Sequence, residues 1–106
     1  MSDTLMFWNA GPQTALSPSE IARELTWGEE VPGLVDLPIK EIIDRLKEAF
    51  TDHEERAGLL IGRGGIGRFE ATWTWQHVRV EVHDLLPADR ERLIETIGLP
   101  AHEPPG

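Results

Sequence analysis

The sequence predicts an α+β fold: a four-stranded, mainly antiparallel sheet with three helices packed on one face, in the order β-α-α-β-β-β-α. Three observations carry the prediction. Residues 39–50 hold a helical apolar stripe, residues 69–82 hold two runs of strict alternation, and Ser-Pro and Gly-Leu-Pro punctuation marks helix ends elsewhere. With 106 residues and no internal repeat, residues 1–99 make one domain, followed by a Pro-rich tail over 100–106.

Taken in order, Leu5-Met6-Phe7-Trp8 reads as a strand buried on both faces, closed by the turn cluster Asn9-Ala10-Gly11-Pro12. Ser17-Pro18-Ser19-Glu20 opens a helix with a cap, a proline at the first helical position and a capping-box glutamate. Ile21 and Leu25 share one side of it, and Gly28 is its natural stop. Residues 29–36 connect to the strongest helix. There Ile39, Ile42, Ile43, Leu46, Ala49 and Phe50 line one face while Lys40, Glu41, Asp44, Arg45, Lys47 and Glu48 take the other.

The polar stretch 51–56 reads as a loop, and Leu59-Leu60-Ile61 as the next strand. In Phe69–Trp75 the apolar residues fall on odd positions; in Val78–Val82 they fall on even ones. A two-residue turn at Gln76-His77 reconciles the parity. It pairs Trp75 with Val78, Trp73 with Val80 and Ala71 with Val82, and on the polar side Thr74 with Arg79, Thr72 with Glu81 and Glu70 with His83. The last helix begins at Pro87, presents Leu93, Ile94 and Ile97, and stops at Gly98.

Composition excludes several functions. The chain has no cysteine, so it has neither a disulfide framework nor a thiolate site. Its start lacks the basic segment and apolar run of a signal peptide, and its apolar runs are far too short to span a bilayer, so a soluble, cytoplasmic protein is expected. Nineteen acidic against ten basic residues give a formal charge of −9, which repels phosphate backbones and anionic lipid and favours a basic partner or a cation.

The chemistry-bearing motifs are few. Gly62-Arg63-Gly64-Gly65-Ile66-Gly67 matches the G-x-G-x-x-G pattern, but a strand follows where a dinucleotide site needs a helix N-terminus. Glycines taking positive φ in a hairpin connection explain the run, with Arg63 and Arg68 left as an anion-holding pair. His53, His77, His83 and His102 lack the spacing of a helical zinc site; His77 and His83, six apart on one strand, stand roughly 20 Å from each other. No metal site and no cofactor is expected, although Asp52, Glu54 and Glu55 form a cation-attracting patch. Ser17 and Ser19 are explained by helix capping, and Glu70 and Glu81 by a solvated cross-strand face, so no catalytic residue is assigned.

Of the four tryptophans, Trp8, Trp73 and Trp75 are expected in the core and Trp27 partly exposed beside Glu29 and Glu30. The expected function is a non-enzymatic binding domain whose acidic surface neutralises a basic protein. Trp27, Glu29, Glu30, Asp36, Asp52, Glu54 and Glu55, in the loops flanking the long helix, are its expected contact residues. The alternatives are a small cation- or anion-binding regulatory protein and a small enzyme using the polar sheet face. The Phe7-Trp8 strand, Leu37-Pro38-Ile39, Phe69-Glu70 and His77-Val78-Arg79-Val80 together resemble a group of short uncharacterised bacterial proteins over residues 4–99. The chain departs from them at Gly98-Leu99-Pro100, where they carry Gly-Cys-Pro. The resemblance implies no activity and points to an immunity- or inhibitor-type role.

Overall fold

β1 (Ser2–Trp8) carries apolar side chains on both of its sides, and this double demand for cover organises the chain. In the computed structural model, which describes residues 2–12 and 14–103, β1 is followed by α1 (Pro18–Thr26) and α2 (Ile39–Ala49). Then come β2 (His53–Arg56), β3 (Leu59–Arg63), β4 (Arg68–Trp73), β5 (His77–His83), α3 (Pro87–Ile97) and β6 (Ala101–His102). The α+β class and the three helices hold. The sheet, however, has six strands in the order β2-β3-β4-β5-β1-β6, not four, and every pairing in it is antiparallel.

Both added strands lie at edges. His53–Arg56, expected as loop, pairs with Gly62–Leu59 through backbone groups, although its side chains show no apolar alternation. An outermost strand with both sides wet needs none. In the tail, Ala101 and His102 pair with Phe7 and Met6; residues 104–106 lie outside the described residues.

The helices occupy both faces of the sheet, which corrects the expected one-face packing. Leu5 and Phe7 of β1 join Leu60, Phe69, Ala71, Val78, Val80 and Val82 under α2 and α3. Met6 and Trp8 point the other way and are covered by Ile21, Ala22 and Leu25 of α1 with Val31 and Leu34 of the connecting loop. Each of the Val, Leu, Ile, Phe and Met side chains among these, fully buried, contributes about 1.5–3 kcal/mol. On the larger side Arg45 ties the helices together, its Nε and Nη2 donating to the Thr96 and Ile97 carbonyls at 3.2 and 3.3 Å. Arg92 stacks its guanidinium 4.2 Å from the Phe50 ring centre.

The β4–β5 hairpin keeps the expected faces but turns one residue earlier. The loop residues are Trp75-Gln76, and the register is Trp73↔Val78, Ala71↔Val80 and Phe69↔Val82, two residues from the expected pairing. The Thr74 amide donates to the His77 carbonyl at 2.9 Å to close the turn. A contact remote in sequence braces the turn in this register: the Gln76 side chain accepts from the Val31 amide at 3.0 Å and donates to the Val31 carbonyl at 2.8 Å. Trp75 consequently leaves the core and is 48% exposed, while Trp73 stays packed against it.

Candidate partner-binding surface

α1 ends in a motif that sets the local geometry. Gly28, at φ 81°, donates to the Leu25 carbonyl and Glu29 to that of Glu24, the paired bonds that close a helix on a left-handed residue. The reversal leaves Trp27 at the helix tip, 75% exposed, and sends Glu29 and Glu30 along the β4–β5 turn. There Gly28, Glu29 and Glu30 form one wall of a cleft of about 190 Å³, with Thr74, Trp75, Gln76 and His77 opposite.

His77 lies at the back of this cleft with Nδ1 2.9 Å from Thr74 Oγ1. Burial, aided by the nearby Arg79 guanidinium, lowers its pKa below the ordinary 6.5, so the ring is neutral at pH 7. The cleft therefore presents two carboxylates and an indole with no positive charge of its own at that pH. Asp36, also exposed, follows in the connecting segment, where the Leu37 amide donates to the Trp75 carbonyl at 2.9 Å.

The remaining expected contact residues stand elsewhere. Asp52 precedes β2, and β2 carries Glu54 and Glu55. By register, His53 lies level with Phe69 across β3, six residues along β4 from Trp75, or roughly 20 Å. The structure thus divides the seven residues into a tryptophan end (Trp27, Glu29, Glu30, Asp36) and an edge-strand group (Asp52, Glu54, Glu55). The two groups differ in how their charge is met. Asp52 is paired with Arg63 at 3.4 Å, Glu54 with Arg56 at 3.1 Å and Glu55 with Lys47 at 2.6 Å. Among the described residues, Glu29, Glu30 and Asp36 enter no ion pair.

The glycine-rich connection joins β3 to β4 as a hairpin. Within it positive φ occurs at Gly67 alone, at 79°, so the expectation that the whole run needs positive φ is corrected. Gly62 and Gly64 serve close approach instead: a Cβ would strike the Phe69 ring at the first and the Asp89 carboxylate at the second. Asp89 also accepts from the Gly65 amide at 3.1 Å, so a carboxylate of the chain already sits on that loop donor. Arg63 and Arg68 are cross-strand partners, but each leans on a carboxylate, Asp52 at 3.4 Å and Glu70 at 3.6 Å.

The face of the sheet beyond α1 is a lattice of charge. The register sets Glu70 directly opposite Glu81, with His83 diagonal to Glu70 and two residues beyond Glu81 on β5. Arg68 and Arg79 flank that row. Sequence reasoning named these residues but set Glu70 against His83, because a shift of two residues along the hairpin leaves every side chain on its face. At the far edge His102, absent from the expected sites, stacks on Trp8 with ring centres 3.9 Å apart, and burial lowers its pKa. Among the described residues no helix is long and apolar enough to cross a membrane.

No protein-family model, curated protein or solved structure matches the chain.

Proposed function

We propose that the protein is a non-enzymatic binding domain that captures a basic segment of a partner protein at its tryptophan end. The observation that carries this reading is the proximity of two exposed indoles, Trp27 and Trp75, to Glu29 and Glu30, which enter no ion pair among the described residues. A lysine or arginine side chain meets both needs. Its charge pairs with Glu29 or Glu30, and its flat or aliphatic part lies on the Trp75 indole, an interaction worth about 0.5–1 kcal/mol when exposed and about 2 when desolvated. Tryptophans in such settings are frequent centres of binding energy. The formal charge of −9 adds long-range attraction that speeds encounter with a basic protein and weakens as salt rises. An inhibitor or immunity role, as the resemblance of the Phe7-Trp8 and His77-Val78-Arg79 segments implies, is one use of such a surface.

The test is capture of partners from source-cell lysate by tagged wild type and by Glu29→Lys/Glu30→Lys, at low and high salt. A basic protein held by wild type at low salt, released at high salt and absent from the variant supports the proposal. Equal capture by wild type and variant sinks it.

A further inference from the structure

The geometry points to a divalent transition-metal site, of the kind zinc occupies, formed by Glu70, Glu81 and His83 on the open sheet face, away from the tryptophan end. One ligand atom from each of these residues lies within 4.8 Å of the others. His83 Nε2 is 3.7 Å from Glu70 Oε2 and 4.0 Å from Glu81 Oε2. Those distances are too long for hydrogen bonds. Yet they lie close to the spacing of donors around one ion, since bonds of about 2.0–2.2 Å set tetrahedral ligand atoms about 3.3–3.6 Å apart. A small rotation of either glutamate closes the difference.

A second observation is independent of the carboxylates. The His83 ring is held so that Nε2 is shut off from solvent, and it has no hydrogen-bond partner among the described residues. A withdrawn nitrogen without a partner is an unfilled bond, and the space it faces lies between two carboxylate oxygens. The pairing of Glu70 with Glu81 adds to this. Like charges directly opposite across a ladder are destabilising, and a cation between them reverses the sign.

The flanking arginines complete the pattern. Arg68 Nε approaches Glu70 Oε1 at 3.6 Å and Arg79 Nη2 approaches Glu81 Oε1 at 4.0 Å. Each guanidinium therefore stands by the outer oxygen and leaves the inner one turned toward His83, as outer-shell groups orient metal-binding carboxylates. Two carboxylates and one imidazole suit zinc, manganese or iron(II); magnesium and calcium make little use of the imidazole. Three protein donors on a face 26–46% exposed leave the remaining positions to water.

The experiment is titration of chelator-treated protein with zinc chloride. It is followed by calorimetry and by the nitrogen-15 signals of the four imidazoles, which separate His83 from His53, His77 and His102. The expected result is one equivalent bound, with the His83 Nε2 signal moving first. Glu70→Gln, Glu81→Gln and His83→Gln should each weaken binding more than about tenfold, since even outer-shell changes cost such sites about 10- to 100-fold. His102→Gln should bind as wild type does. The proposal is overturned if the His83 signal stays in place through the titration, if zinc moves His53 or His102 instead, or if magnesium binds in preference to zinc. The wild-type spectrum decides the matter even where a variant folds poorly.

Discussion

Two acidic regions of this molecule look alike in sequence and differ in structure. Among the described residues Glu29, Glu30 and Asp36 enter no ion pair, and the two glutamates share a cleft with the exposed Trp75, whereas Asp52, Glu54 and Glu55 are each met by Arg63, Arg56 or Lys47. The difference teaches that a count of charge does not mark a binding surface; charge left unmatched beside apolar area does. A carboxylate already paired on an edge strand must give up its partner before it meets another. An unpaired one beside Trp75 gives up only water.

The largest expected effect that separates the two regions is on binding. Glu29→Lys/Glu30→Lys should weaken capture of a basic partner by about 100-fold or more, because attraction becomes repulsion where like-charge contacts cost several kcal/mol. Glu54→Lys/Glu55→Lys should cost much less at the same salt. Comparable losses in the two double variants would erase the distinction.

Next in size is the support beneath the tryptophan end. Gln76→Leu leaves the Val31 amide without its partner and the Val31 carbonyl with only the long bond from the Leu34 amide, and should destabilise the fold by about 1–3 kcal/mol in urea unfolding. Removing the edge-strand pair by Lys47→Ala should cost at most about 1 kcal/mol, because that pair is partly exposed. A Gln76→Leu protein as stable as wild type would show that the turn does not depend on Val31.

The legibility of these regions follows the same division between local and remote causes. The helices were readable because cap, stripe and stop lie within one segment, as Ser17, Ile39–Phe50 and Gly98 illustrate. The hairpin faces were readable too, because odd and even positions alternate over 69–82. Its register was not. A slip of two residues preserves the alternation, and one contact that braces the observed register joins Gln76 to Val31, 45 residues away. The edge strands β2 and β6 pair through backbone groups and leave little trace in side-chain pattern. One signal was read but not followed to its consequence. Leu5-Met6-Phe7-Trp8 is apolar on both sides, which by itself calls for cover on both faces of the sheet. The Glu70–Glu81–His83 group was legible, since the expected register already sets Glu70 against His83 with Glu81 two residues along the same strand; what it missed is that Glu81 lies directly opposite Glu70.

Acid should act more weakly than these substitutions, and at the tryptophan end rather than the edge strand. His77 has a lowered pKa in the folded protein, so below about 6.5 the unfolded chain takes up its proton first. Stability is therefore complete above that pH, falls as the pH drops through 6.5, and levels off below the folded value. His102, also lowered by burial against Trp8, adds in the same direction. Melting temperature across pH 5–8 measures the trend, and His77→Gln should flatten it. An unchanged slope in that variant would assign the trend to other groups.

The smallest expected effect is Trp27→Ala on stability, within about 0.5 kcal/mol, since the indole is 75% exposed. The same substitution should still weaken binding. That contrast between folding and recognition leads to the most direct test of the central claim. The indole nitrogen signals of isotopically labelled protein would be recorded while an oligo-arginine peptide is added at low salt. Signals of Trp27 and Trp75 are predicted to shift together and return as salt is raised, while that of Trp8, 2% exposed, stays in place. If Trp27 and Trp75 stay fixed while backbone signals of 52–56 move, the basic partner belongs to the edge strand, and capture at the tryptophan end is contradicted.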